Sequence, residues 1–107
     1  MTDIWGSIRA IAAELDARSA RQGEQSWLVQ VVKLQEEVGE VAEAAIGALG
    51  ENPRKGYSHT WDDVRAEACD VVVTGLVLLA RMGGDPEQQL AEHVRRLDAR
   101  RGPADEA

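Results

Sequence analysis

Residues 33–44 read KLQEEVGEVAEA, and residues 65–80 read RAEACDVVVTGLVLLA. Glu37 and Glu40 are three apart in the first stretch, as are Glu67 and Asp70 in the second. Neither stretch alternates apolar with polar residues as a half-buried strand would, so both are read as helices. On a helix, residues three apart project from one face. These faces are otherwise apolar, and apolar surroundings are where unpaired carboxylates are most costly. Two such helices side by side form an oxygen-ligand cage, and a divalent cation would relieve the repulsion within it.

Working outward from these two helices, the spacing predicts four in all. The first covers residues 3–21, with Ile4, Ile8, Ile11 and Leu15 at helical intervals and Gln22-Gly23 ending it. Ser26 is read as the N-cap of the second, over 27–49. Its apolar stripe is Trp27, Val31, Leu34, Val38, Val41 and Ala45, with a polar stripe of Gln30, Lys33, Glu37 and Glu40 beside it. The segment ENPRKGYSHT, residues 51–60, is rich in turn residues and longer than most helix–helix connections, a length often kept for function. Thr60 caps a third helix over 61–81. Asp85 caps a fourth that begins at Pro86, where a missing N–H costs nothing, and runs to Arg101. The expectation is one all-α domain, a four-helix bundle over residues 1–101, with 102–107 as a disordered tail.

Composition narrows the functions. Hydrophobic residues are 44% and charged residues 29%, a globular profile. There is no Phe, so Ala, Val and Leu fill the core. The net charge of -7 disfavours a nucleic acid polymer as partner, since such binding rests on neutralising phosphates. A small phosphorylated ligand stays open, because a bound cation inverts the local field. The single cysteine, Cys69, forms no internal disulfide and fits a reducing cytoplasm. No charged-then-apolar leader opens the chain, and no apolar run reaches the roughly 18 residues of a membrane span.

Magnesium takes oxygen ligands in near-octahedral geometry, keeps several waters, and commonly bridges carboxylates to substrate phosphates. Glu37, Glu40, Glu67 and Asp70 suit it with positions left open. Glu36, one residue from Glu37 and four from Glu40, points to a second cation or to a water. A glutamate pair alone reads as solvated surface. Asp70 changes that reading: it is a poor helix former set before an almost wholly apolar run, and solvation does not explain it.

The paired pattern resembles the signature of the all-α nucleoside triphosphate pyrophosphohydrolases, the MazG-like group. It reads Glu36-Glu37-Val38-Gly39-Glu40, then Glu67-Ala68-Cys69-Asp70, and the likeness extends over residues 27–101. The resemblance implies hydrolysis of a nucleoside triphosphate between the α and β phosphates, giving monophosphate and pyrophosphate. It implies magnesium, or in some members manganese, held by Glu37, Glu40, Glu67 and Asp70. Glu36 would hold a second metal or orient the attacking water and accept its proton. It further implies a homodimer or homotetramer with sites near subunit interfaces, and a role in clearing unwanted nucleotides.

Cations must hold the leaving pyrophosphate. Lys33, one turn from Glu37 on the same face, is the best placed. Arg54 and Lys55 in the long segment, and Arg96, Arg100 and Arg101 near the end, are others. Tyr57, His59 and Trp61 are candidates to meet the base, whereas Trp27 lies on the apolar stripe and reads as core. His59 and His93 lack the Glu-x-x-His spacing of di-iron bundles. Asp62 and Asp63 suit the positive end of the third helix, and Glu43 reads as solvated or as supporting the site. Two other functions fit the same residues. One is a non-catalytic helical module binding a structural cation or a basic partner. The other is a hydrolase of the same fold acting on another phosphorylated nucleotide.

Overall fold

The computed structural model describes residues 2–103. It comprises four helices: α1 (Ile4–Arg18), α2 (Glu24–Ala48), α3 (Trp61–Arg81) and α4 (Pro86–Arg101). No strand occurs among the described residues, and no helix there is long and apolar enough to cross a membrane. Of the expected tail, residues 104–107 lie outside the described range; Gly102, at φ 73°, ends α4.

The later helix ends form as their residues dictate. Thr60 accepts a hydrogen bond from the Asp63 amide while the Asp63 carboxylate accepts one from the Thr60 amide, a reciprocal cap on α3. Asp85 accepts from the amides of Glu87 and Gln88 at the start of α4. The first two helices meet differently from expectation. α1 stops at Arg18, because the Ser19 hydroxyl closes a local turn with the backbone of Arg21. α2 begins at Glu24, three residues early, with Gly23 at φ 60° as its N-cap. Ser26 is therefore inside the helix, buried, its hydroxyl donating to the Gly23 carbonyl.

α2 and α3 run antiparallel, joined by residues 49–60, and α1 packs on α3. Ile8 and Ala12 of α1 bury against Val77 of α3, flanked by Leu15, Leu76 and Ala80. Burying a side chain such as Val77 contributes about 1.5–3 kcal/mol. The joining segment folds back on α2. Gly50, at φ 76°, lies under the Tyr57 ring, and a Cβ on Gly47 would strike Ser58 and His59.

The rotation of α2 is the main departure from expectation. Ser26, Gln30, Glu37, Ala44 and Gly47 face inward, while Val31 and Val38 of the expected core stripe are about half exposed. On α3 the matching stripe is Glu67, Asp70, Thr74, Val77 and Arg81. The seam between the two long helices is thus largely polar, and their apolar stripes look outward. Val38, Val41, Ala45, Ala68 and Val72 line a shallow apolar groove there.

The four helices do not close into a bundle within one chain. α4 meets α3 at its start, where Pro86 is buried and Leu90 half-buried, and residues 93–101 are exposed. The radius of gyration is 17.2 Å, against about 13 Å for a compact domain of this length.

Candidate metal centre

The seam gathers three of the four carboxylates predicted to meet, leaving Glu40 exposed beside them. Glu37 of α2 and Glu67 and Asp70 of α3 each offer an oxygen within 4.8 Å of the others. The antiparallel pairing brings them together: Glu37 and Glu67 lie in the seam, with Asp70 exposed at its edge. The Glu37 side chain is only 12% exposed, and Lys33 Nζ lies 3.4 Å from its Oε1. Lys33 itself is 56% exposed, and such an ion pair contributes at most about 1 kcal/mol. One solvated lysine does not balance several converging acids.

Two observations test whether a cation fits. Glu67 Oε2 is buried with no hydrogen-bond partner, the one such side-chain atom among the described residues. A buried acceptor without a donor is costly, and a cation is one partner that would relieve it. The Glu40 carboxyl is held above its usual range, chiefly by the charge of Glu37, then by loss of solvent, then by Glu67. Glu40 thus belongs electrostatically to the same group. An all-oxygen donor set suits a hard cation such as magnesium or manganese.

Glu36 is exposed, one position round the helix from Glu37. Trp61 is half-exposed at the first turn of α3, six residues before Glu67 or about 9 Å along the axis. Tyr57 is exposed over Gly50. Arg54 and Lys55 are exposed, their amides donating to the Asn52 side chain in a tight turn. Arg96 lies on the exposed part of α4. The structure therefore brings Glu37, Glu67 and Asp70 together with Glu40 and Lys33 beside them, and leaves the other candidates outside this group, His59 half-buried against Gly47.

A polar network continues along the seam that sequence reasoning did not foresee. Gln30, on the expected polar stripe, is buried. Its Nε2 donates to the Thr74 carbonyl (3.2 Å), and its Oε1 accepts from Arg81 Nη1 (2.7 Å). Arg81 Nε donates to Asp16 of α1 at 2.8 Å, with the Arg81 side chain only 5% exposed. Trp27 Nε1 donates to the Arg81 carbonyl (3.1 Å), so the expected core tryptophan has a polar duty too. The available signal was spacing: Gln30 is seven residues before Glu37, and Thr74 and Arg81 are four and eleven after Asp70. At the network itself, Gln30, Thr74 and Arg81 with Ile11, Leu15, Val29, Lys33, Val73 and Val77 line a cleft of about 270 Å³.

No family profile, curated protein or solved structure matches the chain.

Proposed function

We propose that the chain is a magnesium-dependent nucleoside triphosphate pyrophosphohydrolase of the MazG-like all-α type. It would cleave between the α and β phosphates and act as a homo-oligomer. The observation that carries the reading is the meeting of Glu37, Glu67 and Asp70 from two helices, with a buried Glu67 oxygen that has no donor. The order of acids along the two helices, Glu36-Glu37-x-x-Glu40 and Glu67-x-x-Asp70, supports the same type.

In this reading Glu37, Glu40, Glu67 and Asp70 hold the cation. When bound, magnesium screens the phosphates and acidifies a water. Glu36, exposed beside these acids, would orient an attacking water and accept its proton. Lys33, paired with Glu37 and largely exposed, would hold the leaving pyrophosphate. The neighbouring cleft, mainly apolar with Gln30, Lys33, Thr74 and Arg81 at its wall, would receive the nucleoside end.

The test is incubation with a panel of nucleoside triphosphates and magnesium, with pyrophosphate and monophosphate measured separately. Release should disappear in Glu67→Gln and Asp70→Asn while helicity is retained. Release of inorganic phosphate instead, or full activity in both variants, would remove the proposal.

A further inference from the structure

The buried polar network carries more hydrogen-bond donors than the protein uses. Arg81 has five N–H groups on a side chain only 5% exposed. Among the described residues two of them find acceptors, Nε on Asp16 and one Nη1 hydrogen on Gln30, so three are left. Gln30, 4% exposed, gives one Nε2 hydrogen to the Thr74 carbonyl and keeps the other. Its Oε1 accepts from Arg81 with one lone pair, which leaves one. Four donors thus stand against a single acceptor position, on two side chains nearly shut off from solvent. Donors without partners are costly at that depth.

Gln30 and Arg81 both form part of the wall of the cleft whose apolar lining includes Ile11, Leu15, Val29 and Val73. An apolar slot with a few fixed polar groups suits a flat ring. The Gln30 amide is fixed: turning it over would set its NH₂ against Arg81 and its oxygen against the Thr74 carbonyl. Lys33 ties this cleft to the acids, since it lines the cleft and pairs with Glu37. Gln30 lies seven residues before Glu37, about 10 Å along α2. A ribose and its α-phosphate bridge such a gap.

We propose that Gln30 and Arg81 read the base of the nucleotide, and that the cleft selects bases with an oxo group beside a ring N–H, as in uracil and hypoxanthine. The oxo oxygen accepts from the spare donors, and the ring N–H meets the spare lone pair of Gln30 Oε1. Cytosine and adenine carry an amino group and a bare ring nitrogen at the same edge. Their amino hydrogens face donors, and groups on both sides stay unpaired. A site built on hydrogen bonds discriminates strongly against such a mismatch. This choice of substrate rests on the pyrophosphohydrolase reading.

Two matched pairs isolate that edge: uridine against cytidine triphosphate, and inosine against adenosine triphosphate. With magnesium, kcat/KM should favour the oxo member of each pair at least tenfold. Gln30→Glu replaces the amide's donor by an acceptor and gives Arg81 an ionic partner, so it should turn the preference towards the amino members. Gln30→Leu should bring both ratios to within about threefold of unity. Equal rates within both pairs in the intact chain, or ratios unchanged in both variants, would overturn the assignment. A second measurement needs no turnover. Calorimetry without metal should show uridine and inosine monophosphates binding the intact chain at least tenfold more tightly than cytidine and adenosine monophosphates. That result without pyrophosphate release would remove the hydrolase and leave the base reading standing. Equal binding, or none, would remove the base reading even in an active hydrolase.

Discussion

Arg81 at the end of α3 donates through Nε to Asp16 of α1 at 2.8 Å, joining residues 65 apart in the chain. The same guanidinium donates to Gln30 of α2, so one side chain holds three helices. Removing it leaves the buried Gln30 oxygen unpaired. Arg81→Ala should destabilise the protein by about 2–4 kcal/mol in urea unfolding. Asp16→Asn should cost about 1 kcal/mol, because Asp16 is half exposed and water replaces part of the pair. Equal costs for the two would refute the ranking.

Magnesium should stabilise the fold through the acidic seam. At a concentration 100-fold above its dissociation constant, the gain is about 2.7 kcal/mol, visible as a raised melting temperature. Glu67→Gln should lose that response. Without metal, Glu40→Gln should melt above the wild type at neutral pH, because the lifted Glu40 carboxyl marks a repulsion the amide lacks. The sign fixes the pH dependence. A raised carboxyl favours the folded state below its ordinary value of 4.5, and loses that advantage as pH rises through the lifted value. The gap between variant and wild type should therefore open as pH rises from 4.5 towards neutrality, and reverse when magnesium saturates the site.

Lys33 separates a structural role from a functional one. Its exposed pair with Glu37 predicts that Lys33→Ala changes stability by less than about 1 kcal/mol. If it holds the pyrophosphate, kcat/KM should fall tenfold or more, with Lys33→Arg keeping part of the rate. Unchanged steady-state kinetics in Lys33→Ala would exclude it from the chemistry.

Asp63 gives a second pH signature, at the cap of α3. Its carboxyl is held below its ordinary value by the Thr60 amide and then by the Thr60 hydroxyl. A lowered carboxyl stabilises above its ordinary value of 3.8, and that contribution is lost as pH falls through the folded value. Asp63→Asn should thus melt below the wild type at pH 7, with the difference shrinking below pH 3.8. A difference independent of pH would refute this account of the cap.

The caps at Thr60 and Asp85 were readable because each places a side-chain acceptor opposite bare amides, a local geometry that sequence spells out. The acids were readable for a similar reason: intervals of three fix a shared face. The direction of that face was not. Periodicity groups Val31 with Val38 and Gln30 with Glu37, but does not say which group a neighbouring helix covers. The rule that apolar residues turn inward chose the valines, whereas α2 sets its polar stripe against α3. The early start of α2 was hidden because Gly23 at φ 60° caps it without a side chain, and Ser26 resembles a cap while bonding back to Gly23. From the sequence Arg81 marks only the end of the third helix, because its partners, Asp16 and Gln30, are remote in sequence.

Gly47 has a reach beyond its own turn. Any side chain there would push the Ser58 and His59 side chains off α2. Where the backbone of the chain reversal follows them, the two long helices shift lengthwise. Glu37 sits ten residues upstream, about 15 Å along the same rod, so such a shift would change its spacing to Glu67 and Asp70. Were an ion held there, a residue that touches none of its ligands would set their spacing from the far end of the hairpin.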